Sequence, residues 1–239
     1  MRVLLIALLV LLAPPLRAQT PRCALLEARV SGEEPIARRG PLRNAFGRYL
    51  AGQHAAAAKA FDKEAADIAS RVAKLFHAPR GTKVPNEKIR RFLQDLVTGK
   101  NPVLRTVGDD FVYVPAAALA WADSRCKTGD VAGAAHLLDA LEGDPDSRVA
   151  PARAVVAMEL GDADRALALL GEPHDEDSWH LRAVRAQALG RAGRLDEAWA
   201  ALDAARERCI GEVACAKVEL VRTELLAHGA GRGAPGTTP

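Results

Sequence analysis

Three glycines, Gly129, Gly161 and Gly193, recur 32 residues apart, and nothing else in the chain restricts its possible folds so tightly. Five residues after each glycine stands an alanine (Ala134, Ala166, Ala198), and four residues further a leucine (Leu138, Leu170, Leu202). A fixed period of this length marks one supersecondary unit that is copied and stacked, in place of a fold around a single central core. Each residue type has its reason. Glycine adopts a left-handed conformation at little cost and so ends one helix before the next begins. Alanine lets two helices approach closely, and leucine fills the gap to the neighbouring pair.

An earlier copy of the pattern occurs at Gly52, Ala57 and Phe61, with 44–51 as its first helix. Its second helix is long: Ala57, Phe61, Ala65, Ile68, Val72 and Leu75 follow steps of three and four, one apolar face of an α-helix that should end before Pro79. Aromatic residues make up only 4% of the chain, and alanine is abundant. Small residues of high helix propensity favour close helix contacts, whereas sheets want β-branched and aromatic residues. The expected fold class is all-α.

The first residues read as a signal peptide. Arg2 gives a positive start, 3–13 is an unbroken apolar run, and Pro14 and Pro15 stop it. The run is shorter than the roughly 20 residues a helix needs to cross a bilayer. Cleavage is expected after Ala18, which leaves no transmembrane segment and places the protein in the periplasm or outside the cell. Loss of Arg2 and Arg17 makes a chain of net charge +3 nearly neutral, and with export this argues against nucleic acid as a partner.

Four cysteines remain, and an even count in an exported chain suggests disulfides, with three possible pairings. Cys209 and Cys215 flank an expected turn at Ile210 and Gly211, which could bring their α-carbons within the roughly 4.4 to 6.8 Å that a disulfide needs. Cys23 and Cys126 are then left for each other. A metal site is the alternative, although no cysteine pair has the tight spacing of a zinc knuckle.

The near-neutral total conceals segregation. Residues 71–105 carry nine Lys or Arg, among them Lys88, Arg90 and Arg91, against Glu87 and Asp95, whereas residues 128–178 carry twelve Asp or Glu and three Arg. The acidic residues suit helix N-termini, where the helix dipole favours them; Asp162, Asp164, Asp175 and Asp177 fit that account. The basic insert is either a solvated surface, a face for an acidic partner, an anionic envelope polymer or lipid headgroups, or a segment docked on the acidic part of the chain.

The inter-helix glycines, the early alanines and the large residues four positions on resemble the tetratricopeptide repeat family, whose units pair two antiparallel helices over about 34 residues. The closest stretch is 189–205, LGRAGRLDEAWAALDAA, and the resemblance covers roughly 42–72 and 114–228. The family's Trp and Tyr positions in the first helix are not matched, and Arg153 and Arg185 fall where an apolar residue is expected. The resemblance implies a right-handed superhelical array of antiparallel helix pairs, a helical-hairpin solenoid whose concave side, lined by first helices at about 115–127, 148–160 and 178–191, binds a peptide or another protein. The family's groove-facing register falls on Asp123, Lys127, Val155, Glu159, Gln187 and Arg191. The resulting organisation is a signal peptide (1–18), an N-terminal helix from Cys23 to Val30 and a link (19–41), a first hairpin (42–76), the basic insert (77–113), three hairpins with a C-terminal capping helix (114–228), and a Gly- and Pro-rich tail (229–239).

Catalytic patterns are wanting: there is no nucleophile elbow, His-Glu-x-x-His, phosphate loop or Cys-His signature, so an enzyme is not expected. The densest ligand-type cluster is His174, Asp175, Glu176, Asp177 and His180, which could hold a divalent metal but sits where Asp177 or Ser178 would cap a helix; the structural role is preferred, and neither metal nor cofactor is expected. The tryptophans read as core filler. If the register is right, Leu170→Ala should cost about 2 to 5 kcal/mol and Ala198→Leu about 1 to 3 kcal/mol. Urea melts of the purified variants check this, and wild-type midpoints for both would refute the register.

Overall fold

A computed structural model describes residues 22–26, 43–75, 114–139, 141–142 and 147–229; the side chains of 65–75 and 114–116 are outside the description. The expected signal peptide, the basic insert with Lys88, Arg90 and Arg91, and the C-terminal tail from residue 230 all lie outside the described residues. Within them every regular element is an α-helix: α1 (Arg43–Leu50), α2 (His54–Leu75), α3 (Val114–Lys127), α4 (Val131–Asp139), α5 (Val149–Glu159), α6 (Ala163–Leu170), α7 (Trp179–Arg191), α8 (Leu195–Arg206) and α9 (Glu212–Gly229). The all-α expectation holds, and the expected first helices are displaced by a residue or two at most. One element differs. Residues 22–25 form a turn, closed by the Leu26 N–H on the Cys23 carbonyl at 2.9 Å, and Cys23 has a φ of 55°, so no helix begins at that cysteine.

The recurring glycines act as the spacing requires. Gly52, Gly129, Gly161 and Gly193 have φ of 71°, 94°, 87° and 79°. At each, the glycine N–H donates three residues back and the next N–H five residues back. Gly129 reaches Cys126 at 3.0 Å and Asp130 reaches Arg125 at 2.9 Å; Gly161 reaches Met158 at 3.0 Å and Asp162 reaches Ala157 at 3.0 Å. This paired closure satisfies carbonyls that the ending helix leaves open, and it needs a left-handed residue at the glycine position. The next helix then starts at once, with the Ala134 N–H on the Asp130 carbonyl and the Ala166 N–H on the Asp162 carbonyl, both at 3.1 Å. The carboxylates of Asp130 and Asp162 cap those starts, each accepting a backbone N–H three residues on at 2.9 Å. Part of the acidic excess is thus helix capping.

Each even-numbered helix packs on the helix before it and on the one after it. The odd-numbered helices also touch in order, α1 with α3, α3 with α5, α5 with α7 and α7 with α9. No two even-numbered helices make a comparable contact among the described residues, so the odd-numbered side is the closer packed. Ala57, Ala134, Ala166 and Ala198 have no exposed surface, nor have Phe61, Leu138 and Leu202, and Leu170 is buried. The first hairpin is separated in sequence but not in space. Phe61 of α2 stacks on Trp121 of α3 with ring centroids 6.0 Å apart, and Phe46 of α1 meets Phe61 edge-on at 5.4 Å.

The two arginines at apolar positions also find their reason. Trp121, Arg153 and Arg185 share one register, and each reaches the preceding even-numbered helix. The Trp121 indole N–H donates to Asp62 at 3.0 Å, Arg153 pairs with Asp139 at 3.3 Å, and Arg185 donates to the carbonyls of Gly171 at 2.8 Å and Leu170 at 3.2 Å. A guanidinium closing the open carbonyls of α6 fills a polar need that an apolar side chain cannot meet. No described helix is long and apolar enough to cross a membrane. A Cβ on Gly161 would meet no atom within 4 Å, so Gly161→Ala should lose only backbone energy, about 1 to 2 kcal/mol. An unchanged urea midpoint would show that the left-handed turn is not required there.

Candidate functional site

The odd-numbered helices carry the six residues of the expected binding register, as an i, i+4 pair on each of α3, α5 and α7. Such pairs lie one turn apart on a common helix face. Their polar groups tie α1 to α3 and, separately, α5 to α7 and α9, and do not form an open row.

At one end Asp123 is completely buried in α3. Its Oδ2 accepts from the Tyr49 hydroxyl of α1 at 2.9 Å and from Lys127 Nζ at 2.8 Å, while its Oδ1 has no hydrogen-bond partner among the described residues. Burial raises the Asp123 pKa; the Lys127 charge and the hydrogen bonds from Lys127 and Tyr49 oppose that rise without cancelling it. His54, at the start of α2, stands edge-on to the Tyr49 ring at 5.7 Å. Burial and then the Lys127 charge lower its pKa, against the pull of Asp123.

At the other end Arg191 of α7 joins Glu159 of α5 at 3.2 Å and Glu224 of α9 at 2.7 Å. Gln187 donates to the second oxygen of Glu224 at 2.7 Å. Burial works against the Arg191 charge, but Glu224 and then Glu159 outweigh it and hold the pKa above the ordinary arginine value. Partly buried pairs of this kind fix geometry, since breaking one partner leaves a poorly solvated charge. Val155 of α5 is buried.

Asp123, Val155 and Gln187 are therefore inside the protein and lie beneath the surface that a partner would touch; the resemblance set the register but not the depth. Lys127, Glu159 and Arg191 keep partial exposure, with side chains 27%, 13% and 23% accessible. Two members of the network, Tyr49 and Glu224, were outside the expected set. Tyr49 precedes Gly52 by the same three residues that separate Cys126 from Gly129, so its helix face was legible, but its bond to Asp123 joins positions 74 apart and left no local mark.

The cysteines pair as Cys23 with Cys126 and Cys209 with Cys215, with α-carbons 6.1 Å and 5.3 Å apart. In the acidic His174–His180 stretch the polar groups serve the backbone. Ser178 Oγ caps α7 by accepting from the Leu181 N–H at 3.2 Å, the Asp177 carboxylate accepts from the His174 N–H at 2.9 Å, and His180 Nε2 lies 2.6 Å from the Leu25 carbonyl. No group of three His, Cys, Asp or Glu side chains among the described residues is placed to hold a metal. Trp121 is buried, and Trp179 and Trp199 are partly buried against the core.

The raised Asp123 pKa has a stability consequence. A folded-state pKa above the unfolded value of 3.8 means that the contribution is fully present below pH 3.8 and is lost as pH rises through the folded value. Asp123→Asn keeps an acceptor for Tyr49 and Lys127 but cannot ionise. Its stability relative to wild type should therefore rise with pH above 3.8; chemical melts from pH 3.5 to 7 showing a constant difference would contradict this. No protein-family model, no curated protein and no solved structure matches this chain.

Proposed function

We propose that the chain is an exported, non-catalytic docking module, a solenoid of tetratricopeptide-like hairpins that binds a protein or peptide partner in a bacterial cell envelope through its odd-numbered helices. The observation that carries this reading is the continuous contact of α1, α3, α5, α7 and α9 on one side, with Lys127 held there by Asp123 of its own helix and Glu159 and Arg191 held by each other and by Glu224 across helices. Charges held in place before binding select a complementary surface without the cost of ordering long side chains. The closer packing of the odd-numbered side supports a concave face there, as in a curved hairpin array. Two disulfides fit an oxidising compartment outside the cytoplasm.

The charge segregation of the sequence favours one other reading, in which 71–105 holds an anionic envelope polymer or membrane surface through Lys88, Arg90 and Arg91 and the hairpins support it. Crosslinking in the native envelope followed by capture separates the two. The expected result is a protein partner whose recovery falls about tenfold when Lys127→Gln and Glu159→Gln are combined in a chain of unchanged helicity. Recovery of polymer or lipid, abolished by salt and by neutralising Arg90 and Arg91, would replace the first reading with the second.

A further inference from the structure

The turn at residues 22–26 is held to two odd-numbered helices that are not neighbours. Cys23 is bonded to Cys126 of α3, and the Leu25 carbonyl meets His180 of α7. Cys126 lies one turn after Asp123, and His180 lies two turns before Gln187, so both attachments fall on the side of their helices that carries the binding register. Helix α5 stands between α3 and α7, touching both. A segment fixed to α3 at Cys23 and to α7 at Leu25 must therefore cross α5 on that same face. Cys23, Leu25 and Leu26 are each 1% exposed, as deeply buried as Val155 and Met158 of α5.

We infer that this face is a docking site for a short apolar, leucine-bearing segment, and that 22–26 is its resident occupant. The inference rests on the docking reading above and names the chemistry of the partner: two adjacent leucine side chains for the apolar seat, and a backbone carbonyl for His180. The covalent link to Cys126 gives the resident an effective concentration of about millimolar or more, so a partner segment competes poorly while the tethered leucines fill the seat. Burial of both cysteines keeps the bond from opening readily once it has formed.

The test uses the full chain and a labelled peptide of residues 20–30 carrying C23S. Two variants empty the seat in different ways: C23S/C126S removes the tether, and L25S/L26S removes the apolar contacts. Either variant, with wild-type helicity, should bind the peptide at least tenfold more tightly than oxidised wild type, and adding H180A should weaken that binding. Equal binding to wild type, no binding to a folded variant, or equal binding of a peptide with both leucines changed to serine would overturn the proposal. Loss of helicity in both variants would also overturn it, because the segment would then be an indispensable part of the core. Failure here leaves capture of a partner in the envelope as a separate outcome, so the two readings fall independently.

Discussion

The architecture depends on one backbone event, the closure of a helix by paired hydrogen bonds around a left-handed glycine, repeated at Gly52, Gly129, Gly161 and Gly193. It reverses the chain within three residues or so, and this shortness fixes the rest. The alanine five residues on must face the helix just ended, and the large residue one turn later must face the next pair. Apolar burial supplies the driving force, but the turn decides which side chains are available to be buried.

What the sequence made legible follows from that event. Near-correct boundaries of the hairpin helices and the buried Ala57, Ala134, Ala166, Ala198, Phe61, Leu138 and Leu202 come from local spacing, which a period reveals directly. The binding register was half legible. The resemblance placed Asp123, Val155 and Gln187 at equivalent positions of three helices, but depth depends on how neighbouring helices and the N-terminal turn cover them. Partners such as Tyr49 for Asp123 and Glu224 for Gln187 and Arg191 lie at separations set by stacking geometry, so no pattern in the chain announced them. The N-terminal turn was missed for the same reason: at Cys23 an expected helix start gave way to a turn tied by a bond to a residue 103 positions away.

Polar residues within the stack fall into two kinds. Asp130, Asp162, Ser178 and Arg185 satisfy backbone groups at helix ends, where orphan N–H and C=O groups would otherwise lack partners. Lys127, Glu159, Arg191 and Glu224 instead join side chain to side chain, within or between odd-numbered helices. The first kind belongs to each hairpin alone, except Arg185, which reaches from α7 to the end of α6. The second depends on the order in which hairpins are stacked, and gives one side of the layer an electrostatic identity that the repeat itself does not encode.

The turn at 22–26 changes how the chain reaches this state. Hairpin stacks form mostly through contacts between neighbours in sequence, which carry little loop-closure cost and favour rapid folding. The contact of Leu25 with His180 spans 155 residues, and α7 and α3 must be in place before both ends of the segment can be seated. A segment that is made before every described helix is thus seated only after α3 and α7 are in place. Its disulfide closes a long loop, worth about 4.7 kcal/mol for 100 residues in the chain-entropy model, after the stack has been built. Folding order and chain order run in opposite directions at this end of the molecule.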